Sequence, residues 1–173
     1  HIDNIHHFLS TGNTAIDCIV STKLSAAKQK GIQVSYSILL PQKIPLDDIS
    51  LCSLIGNLFN NAIEACEKIS PDKKDRCWIN FTIQPYQNMF GIYMENGSNG
   101  EYLFDKNGML LSTKSDTAKK RLSHGIGLKR IQELAEQADG LIDINPGKED
   151  FKLHIMIPLL EKDPDMDPDG STN

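Results

Sequence analysis

The sequence has no excess of positive charge and no long apolar run. Its 18 Lys and Arg residues and 23 Asp and Glu residues give a net charge of −5. This balance argues against nucleic acid as a main partner, because nucleic-acid-binding proteins usually need a basic surface. No apolar stretch approaches the roughly 20 residues that cross a bilayer. Residues 1–7 are polar and lack the apolar segment of a signal peptide, so we expect neither a membrane span nor a signal peptide in this sequence.

Cysteine is also sparse, and its spacing argues against two kinds of structure. The four cysteines form no CxxC pair, so neither a zinc site nor a disulfide framework is expected. We interpret Cys18, Cys52, Cys66 and Cys77 as small buried hydrophobic residues in a reducing cytoplasm. Hydrophobic residues make up 39% of the 173 residues and charged residues 24%, which is ordinary for one soluble globular domain with a core.

Hydrophobic periodicity predicts three helices and five strands. The predicted helices cover residues 14–30, 48–69 and 127–138, and the predicted strands cover residues 32–40, 78–84, 89–94, 141–145 and 151–158. Asn13 and Asp47 are suited to cap the first two helices, and Gly31 to end the first. The predicted fold class is α+β, a two-layer α/β sandwich in which helices cover one face of a mixed, largely antiparallel sheet. The other face is expected to be open or docked on another domain.

Three polar segments are predicted to lie between or after these elements. Residues 95–123 are rich in Gly, Ser, Thr, Asn and Lys and show little hydrophobic periodicity. A loop of this length in a compact domain is usually functional or disordered, so we expect a lid that is mobile without its ligand. Residues 70–75 predict a solvated turn, and the acidic, apolar-poor residues 161–173 predict a disordered tail.

The second predicted helix has an unusual polar face. Asn57, Asn60 and Asn61 lie near its middle, although Asn is a poor helix former. At about 100° per residue, Asn57 and Asn61 share one face with Glu64 and Lys68. The opposite, apolar face carries Ile55, Leu58, Ala62, Cys66 and Ile69. Carboxamide oxygens one turn apart suit an oxygen-preferring cation such as Mg²⁺ that is also bound by phosphates. A polar face that is rich in Asn for no functional reason is the alternative.

Both ends of the polar loop carry groups that suit a ligand. Residues 123–130 (SHGIGLKR) place glycines at the start of the third helix, where backbone N–H groups can bind an anion. The basic residues just upstream are Lys114, Lys119, Lys120 and Arg121. Residues 94–97 (MENG) follow a predicted strand and carry an acid and an amide that can accept a hydrogen bond from an exocyclic amine, such as that of adenine. Taken singly, the first pattern is equally typical of a flexible linker and the second of a hairpin end.

The order of these three elements resembles the GHKL nucleotide-binding fold, or Bergerat fold, over residues 11–160. That group comprises gyrase-type topoisomerases, heat-shock chaperone ATPases, MutL and the histidine kinases. Residues 56–65 (GNLFNNAIEA) resemble its N box and residues 125–128 (GIGL) its G2 box, while residues 95–97 lie where its G1 box is expected. Within the group, the sequence is most similar to peptide-pheromone sensor kinases of the AgrC type. That similarity is carried by residues 11–17, 28–32, 61–65 and 123–128.

The resemblance implies ATP and Mg²⁺ as cofactors and a role for each matching residue. Asn61 is implied to be a Mg²⁺ ligand and Asn57 its supporting neighbour, and both are implied catalytic residues. Besides Asn61, the implied nucleotide-binding residues are Glu95, Asn96, Gly97, Lys114, His124, Gly125, Ile126, Gly127 and Leu128. Either Asn96 or Glu95 contacts adenine in this interpretation, and Asn96 is favoured because AgrC-type kinases usually carry Asn there.

Three positions differ from the family pattern. The usual Asp-x-Gly-x-Gly sequence of the G1 box is absent, so Asn96 or Glu95 must replace its aspartate. Glu64 lies where many kinases carry a basic residue that contacts phosphate, and we assign that contact to Lys114. Asn57 lies where the ATP-hydrolysing relatives carry the glutamate that activates water, so hydrolysis should be slow.

We therefore predict the ATP-binding catalytic domain of a two-component sensor histidine kinase, a quorum-sensing receptor of the AgrC type. Such a domain transfers the γ-phosphoryl group of ATP to a histidine on a separate upstream domain. Residues 1–10, with His6 and His7, are expected to end the upstream dimerisation and histidine-acceptor helix, and residues 11–160 to form the catalytic domain. His154 is expected to be structural.

The resemblance also implies partners, a location and three alternatives. The full-length receptor is expected to be a membrane-bound homodimer with this domain in the cytoplasm, and a response regulator is an indirect partner. The alternatives are a GHKL ATPase, an anti-sigma-type serine kinase, and a scaffold that no longer binds nucleotide. Asn57 argues against the ATPase, whereas Asn61 and the two glycines at 125 and 127 argue against the scaffold.

Overall fold

Five strands form the main sheet within the residues that the computed structural model describes, which are 9–104, 110–111 and 126–159. In chain order the strands are β1 (Gln33–Ile38), β2 (Trp78–Tyr86), β3 (Met89–Gly97), β4 (Leu103–Phe104), β5 (Leu110–Leu111), β6 (Leu141–Pro146) and β7 (Asp150–Pro158). The order in the sheet is β1-β2-β3-β7-β6, and β4 pairs with β5 separately. Strand β1 is parallel to β2, whereas the other neighbours are antiparallel. The predicted mixed, largely antiparallel sheet is confirmed.

The helices of the described residues lie close to their predicted bounds. They are α1 (Thr14–Gln29), α2 (Asp48–Glu67) and α3 (Ile126–Gln137). Asn13 caps α1 by accepting a hydrogen bond from the N–H of Ile16 at 2.9 Å, and Asp47 caps α2 by accepting from the N–H of Ser50 at 2.9 Å. The hydrogen bonds from Ser50 hold the pKa of the Asp47 carboxyl group below its ordinary value. Gly31 follows α1 with a φ of +71°, which glycine adopts at little cost.

Helix α2 is the central element of the helix layer, because it contacts α1, α3 and strand β3. Its buried side chains are Leu51, Leu54, Ile55, Leu58, Phe59, Ala62, Ile63 and Cys66. The sequence predicted one apolar face, but neighbours on several sides also bury Phe59 and Ile63. The ring of Phe59 packs against that of Phe81 on β2, with centroids 4.9 Å apart. Burying a side chain of this size stabilises the fold by about 2 kcal/mol.

The polar stretch at residues 95–123, predicted as one long loop, contains strand residues. Strand β3 continues to Gly97, and β4 and β5 pair with each other inside the stretch, so the prediction of a loop was wrong for these residues. The solvated turn at residues 70–75 is instead a short 3₁₀ helix, Pro71–Arg76, with no buried residue. Most of the predicted lid, at residues 105–109 and 112–123, lies outside the described residues. Residues 124 and 125 also lie outside them, as do residues 1–8 and 160–173 with His6, His7 and the predicted tail.

The helices pack on one face of the sheet, and the other face carries a polar groove. On β2, Ile79, Phe81 and Ile83 are buried on the helix side. The residues between them face a groove of about 460 Å³, which is lined by Ser35, Tyr36, Ser37, Asn80, Thr82, Gln84, Tyr93, Glu95 and His154. The predicted one-sided sandwich is therefore confirmed, and no described helix covers its second face.

The cysteines are all free, as the sequence predicted, but they differ in burial. Cys66 is buried, Cys52 and Cys77 are half-buried, and Cys18 is exposed. The interpretation of the cysteines as buried residues was therefore wrong for Cys18. In the part of the chain that the structure describes, no helix has both the length and the apolar character needed to cross a membrane.

Candidate functional site

Asn57 and Asn61 on α2 face the first turn of α3. A Cβ atom placed on Gly127 would lie 3.0 Å from Oδ1 of Asn61 and 3.5 Å from Oδ1 of Asn57. Both asparagines are half-buried and lie one helical turn apart, so their carboxamide oxygens approach the same backbone segment. The structure thus brings together two residues of the predicted N box and one glycine of the predicted G2 box.

Hydrogen bonds distinguish these two asparagines from their neighbour Asn60. The Nδ2 of Asn57 donates to the carbonyl oxygen of Ser53 at 2.7 Å, which leaves its Oδ1 directed toward Gly127. Asn60 is exposed instead, and its Oδ1 accepts a hydrogen bond from Nζ of Lys23 on α1 at 2.8 Å. Among the three asparagines of α2, Asn60 therefore contacts α1 and lies outside the candidate site.

The end of β3 places Asn96 and Glu95 on opposite faces of the sheet, because side chains alternate along a strand. Asn96 lies on the helix side and is only 2% exposed, and its Nδ2 donates to the carbonyl oxygen of Gly97 at 2.9 Å. Glu95 lies on the open face, where its Oε1 is 3.3 Å from Nε2 of His154. Asn96 therefore shares the helix side with the asparagines of α2, and Glu95 does not.

Gly97 lies where no side chain fits. A Cβ atom on Gly97 would be 1.8 Å from the carbonyl oxygen of Arg76, far closer than two unbonded atoms approach. The thiol of Cys66 lies 3.8 Å from the carbonyl oxygen of Gly97 and 3.6 Å from that of Trp78. Burial raises the pKa of the Cys66 thiol to about 12, so the thiol keeps its proton at neutral pH and can donate it. Sequence reasoning missed Arg76 and Cys66 here, since their spacing from Gly97 carries no signal.

The remaining predicted site residues fall into two groups. Leu128 is half-buried and packs against the hydrophobic core, so its side chain anchors α3. Ile126 begins α3, but its side chain is outside the described part of the structure. Lys114, His124 and Gly125 also lie outside the described residues. The described part of the candidate site therefore consists of α2, the start of α3 and the end of β3.

The donor atoms of this site suit a cation that arrives together with phosphates. Within the described residues there is no group of three or more His, Cys, Asp or Glu side chains arranged to hold a metal ion. Asn57 and Asn61 offer neutral carboxamide oxygens instead. Mg²⁺ prefers oxygen ligands and often takes one or two from the protein and the others from water and phosphate. The chemistry of the two asparagines therefore fits a Mg²⁺ ion carried by a nucleotide.

Comparison with protein families agrees with the observed fold. The model of the GHKL domain matches residues 46–158, which is more than half of the chain. The chain therefore belongs to the GHKL family, whose domains bind ATP. No curated protein sequence matches the chain.

Two solved structures share this fold. The crystal structure of full-length ShkA in complex with AMPPNP aligns with a TM-score of 0.57 at 13% identity, over 83% of this chain and 29% of the ShkA chain. The Acinetobacter baumannii histidine kinase AdeS aligns with a TM-score of 0.53 at 12% identity, over 84% of this chain and 66% of the AdeS chain. The chain thus spans less than a third of the length of ShkA, and its fold resembles that of histidine kinase catalytic domains.

Proposed function

We propose that this chain is the ATP-binding catalytic domain of a sensor histidine kinase of the AgrC type. It would transfer the γ-phosphoryl group of Mg-ATP to a histidine on a separate upstream domain. The observation that carries the proposal is the approach of Asn57 and Asn61, through their Oδ1 atoms, to Gly127. The fold similarity to ShkA, solved with the ATP analogue AMPPNP, and to the histidine kinase AdeS supports it.

Asn61 is the proposed ligand of Mg²⁺, and Asn57 supports it. The Oδ1 of Asn61 lies nearer to the start of α3, and the Oδ1 of Asn57 lies one turn earlier on the same face. When bound, Mg²⁺ supplies charge neutralisation at the phosphates. The chain itself contributes position: α2 holds both oxygens against the first turn of α3, and the backbone N–H groups at the start of a helix attract phosphate oxygens.

Asn96 is the proposed contact for the adenine base. It is buried on the helix side of β3, and its carboxamide oxygen can accept a hydrogen bond from the exocyclic amine of adenine. Glu95 is not part of this proposal, because its carboxylate lies beside His154 on the open face of the sheet. Gly97 lets the end of β3 lie against Arg76 and so sets the path of the backbone after Asn96.

Asn57 favours transfer to a strong nucleophile over hydrolysis. A carboxamide cannot take a proton from water as a glutamate can, and the Nδ2 of Asn57 is engaged by the carbonyl oxygen of Ser53. Attack by water should therefore be slow, which argues against a GHKL ATPase. An imidazole on the upstream domain needs less activation than water does to attack the phosphoryl group. That domain, the response regulator and the membrane-bound homodimeric receptor enter the proposal through the family resemblance.

A calorimetric titration with ATP and with ADP, in the presence of Mg²⁺ or of a chelator, tests the proposed function. We expect saturable binding with Mg²⁺ and at least about tenfold weaker ATP binding without it, since a phosphate-bound cation adds contacts to the protein. Absence of binding under every condition would show that the chain is a scaffold that no longer binds nucleotide. Equal affinity for ATP with and without Mg²⁺ would disprove the metal role of Asn61.

Replacing Gly127 with Ala is expected to weaken Mg-ATP binding by about tenfold, or about 1.4 kcal/mol. The new methyl group would lie 3.0 Å from Oδ1 of Asn61, which must move away from its binding position. The stability of the protein should change little, because Ala favours a helix over Gly by about 1 kcal/mol and offsets the crowding. Titration and thermal unfolding measure the two effects separately.

Gly56→Ala is the matched control for that substitution. Gly56 lies inside α2, and a Cβ atom there would meet only Cδ1 of Ile19, at an ordinary 3.8 Å. We expect this variant to be more stable by up to about 1 kcal/mol and to bind Mg-ATP as the parent does. Unchanged nucleotide affinity in Gly127→Ala, or an equal loss in Gly56→Ala, would contradict the placement of the site.

A further inference from the structure

The backbone that follows Asn96 is docked on the turn between β6 and β7. The N–H of Ser98 donates to the carbonyl oxygen of Glu149 at 2.9 Å. Gly100, with a φ of +76°, lies so close to this turn that a Cβ atom on it would be 2.2 Å from the carbonyl oxygen of Lys148. The contact between the two segments is therefore made by backbone atoms and has little room to shift.

The hydroxyl of Tyr102 bridges the segment after Asn96 and the start of β7. Its oxygen lies 2.9 Å from Oγ of Ser98 and 2.9 Å from the carbonyl oxygen of Asp150. Because a carbonyl can only accept, Tyr102 donates its single proton to Asp150 and accepts from the hydroxyl of Ser98. The N–H of Gly100 in turn donates to Oγ of Ser98 at 3.1 Å. The ring of Tyr102 packs beside that of Phe151, with centroids 5.9 Å apart.

Arg76 approaches Ser98 from the 3₁₀ helix. One of its terminal nitrogens, Nη2, lies 3.4 Å from the carbonyl oxygen of Ser98 and 3.2 Å from Oε1 of Glu149. Ser98, which is only 2% exposed, is thus bound through its N–H, its carbonyl and its hydroxyl. Asn96 lies two residues earlier and pairs with Phe151 of β7, so the same contacts restrain the end of β3 that carries it.

We infer that Tyr102 is a positioning residue for base recognition, acting through Ser98 on Asn96. The inference rests on the proposed function, in which Asn96 accepts a hydrogen bond from the exocyclic amine of adenine. A hydrogen bond weakens steeply when its donor–hydrogen–acceptor angle falls below about 120°, so rotations at the end of β3 weaken this bond. The hydroxyl of Tyr102 links Ser98 to Asp150 and so opposes such rotations.

The test compares ATP with purine riboside triphosphate, which lacks the exocyclic amine, in the parent and in Tyr102→Phe. This variant loses the hydroxyl and keeps the ring beside Phe151. We expect the affinity for ATP to fall about threefold to tenfold, the usual range for one hydrogen bond, and the affinity for the analogue to stay the same. Ser98→Ala should act in the same direction, and it replaces Tyr102→Phe if that variant unfolds.

Tyr93→Phe is the matched control, because Tyr93 lies on β3 but its hydroxyl contacts Sδ of Met156 at 3.2 Å on the open face. It should bind both nucleotides as the parent does. An equal loss for both nucleotides in Tyr102→Phe, or an unchanged ratio of the two affinities, would overturn the inference and leave the proposed function intact. A parent protein that binds neither nucleotide, or that binds both equally, would overturn the proposed role of Asn96 and the inference with it.

Discussion

Asn61→Ala is expected to remove most of the Mg²⁺-dependent affinity for ATP from a protein that still folds. The substitution deletes the carboxamide oxygen nearest to the start of α3. Even the loss of an outer partner of a metal ligand typically weakens metal binding by about tenfold to a hundredfold, so the loss of the ligand itself should reach that range or exceed it. Asn61 is half-buried and faces Gly127, so the stability of the fold should change by less than about 1 kcal/mol.

Asn60→Ala is the control that the chain offers for this prediction. It removes the same side chain from the preceding position of α2, where the carboxamide contacts Lys23 on α1. Its affinity for Mg-ATP should equal that of the parent. Titrations with and without Mg²⁺, together with thermal unfolding, measure both effects. A folded Asn61→Ala protein with full Mg-ATP affinity would refute the assignment, as would an equal loss in Asn60→Ala.

Incubation with labelled ATP is expected to give almost no released phosphate and no label on the chain. Phosphoryl transfer needs a nucleophile held in line with the leaving oxygen. Asn57 carries an amide, which cannot take a proton from water as a glutamate can. Among the described residues His154 is the sole histidine, and it lies on the open face of the sheet beside Glu95, away from Asn61. The described part of the structure thus has no acceptor near the site.

A separate hairpin domain that carries the acceptor histidine, supplied at high concentration, should become labelled. The rate should rise from near zero by several orders of magnitude, because a positioned nucleophile then replaces unactivated water. Replacement of the acceptor histidine in the added domain provides the control. A stable label on this chain that disappears in a variant lacking His6 and His7 would show that the acceptor had been misplaced. Rapid phosphate release without a label on the chain would indicate that the protein is a GHKL ATPase.

The secondary structure and fold class of this protein follow largely from local sequence. Helices α1, α2 and α3 and the two hairpins begin and end near their predicted bounds, because hydrophobic periodicity and cap residues act over a few positions. Asn13 and Asp47 make the predicted capping bonds. The order of the three motifs was also enough to indicate the GHKL family, which the family model confirms for residues 46–158.

The short strands β4 and β5 were not predicted, because neither is long enough for an alternating pattern. The extent of burial of α2 was underestimated for a different reason. Periodicity indicates one apolar face, whereas the number of neighbours that cover a helix depends on packing. Phe59 and Ile63 are buried because α2 lies between other elements, and no local pattern encodes that arrangement.

The sequence by itself determined the candidates for the site. The spacing of its asparagines and glycines indicated Asn57, Asn61 and Gly127, and the family resemblance implied their roles. Only the tertiary structure decided which side chains meet. It placed the oxygens of Asn57 and Asn61 against Gly127 and turned Asn60 toward Lys23. The pairing of β3 with its neighbours put Asn96 on the helix side and left Glu95 on the open face, a choice that the sequence had left open.

The contacts around Ser98 also depend on the tertiary structure and not on local sequence. Arg76, Tyr102 and the turn that carries Glu149 converge there from three separate parts of the chain. Local sequence can determine periodicity and capping, because those depend on neighbours in the chain. Such a convergence depends on sheet order and on close packing of backbone against backbone, and these exist only once the chain has folded.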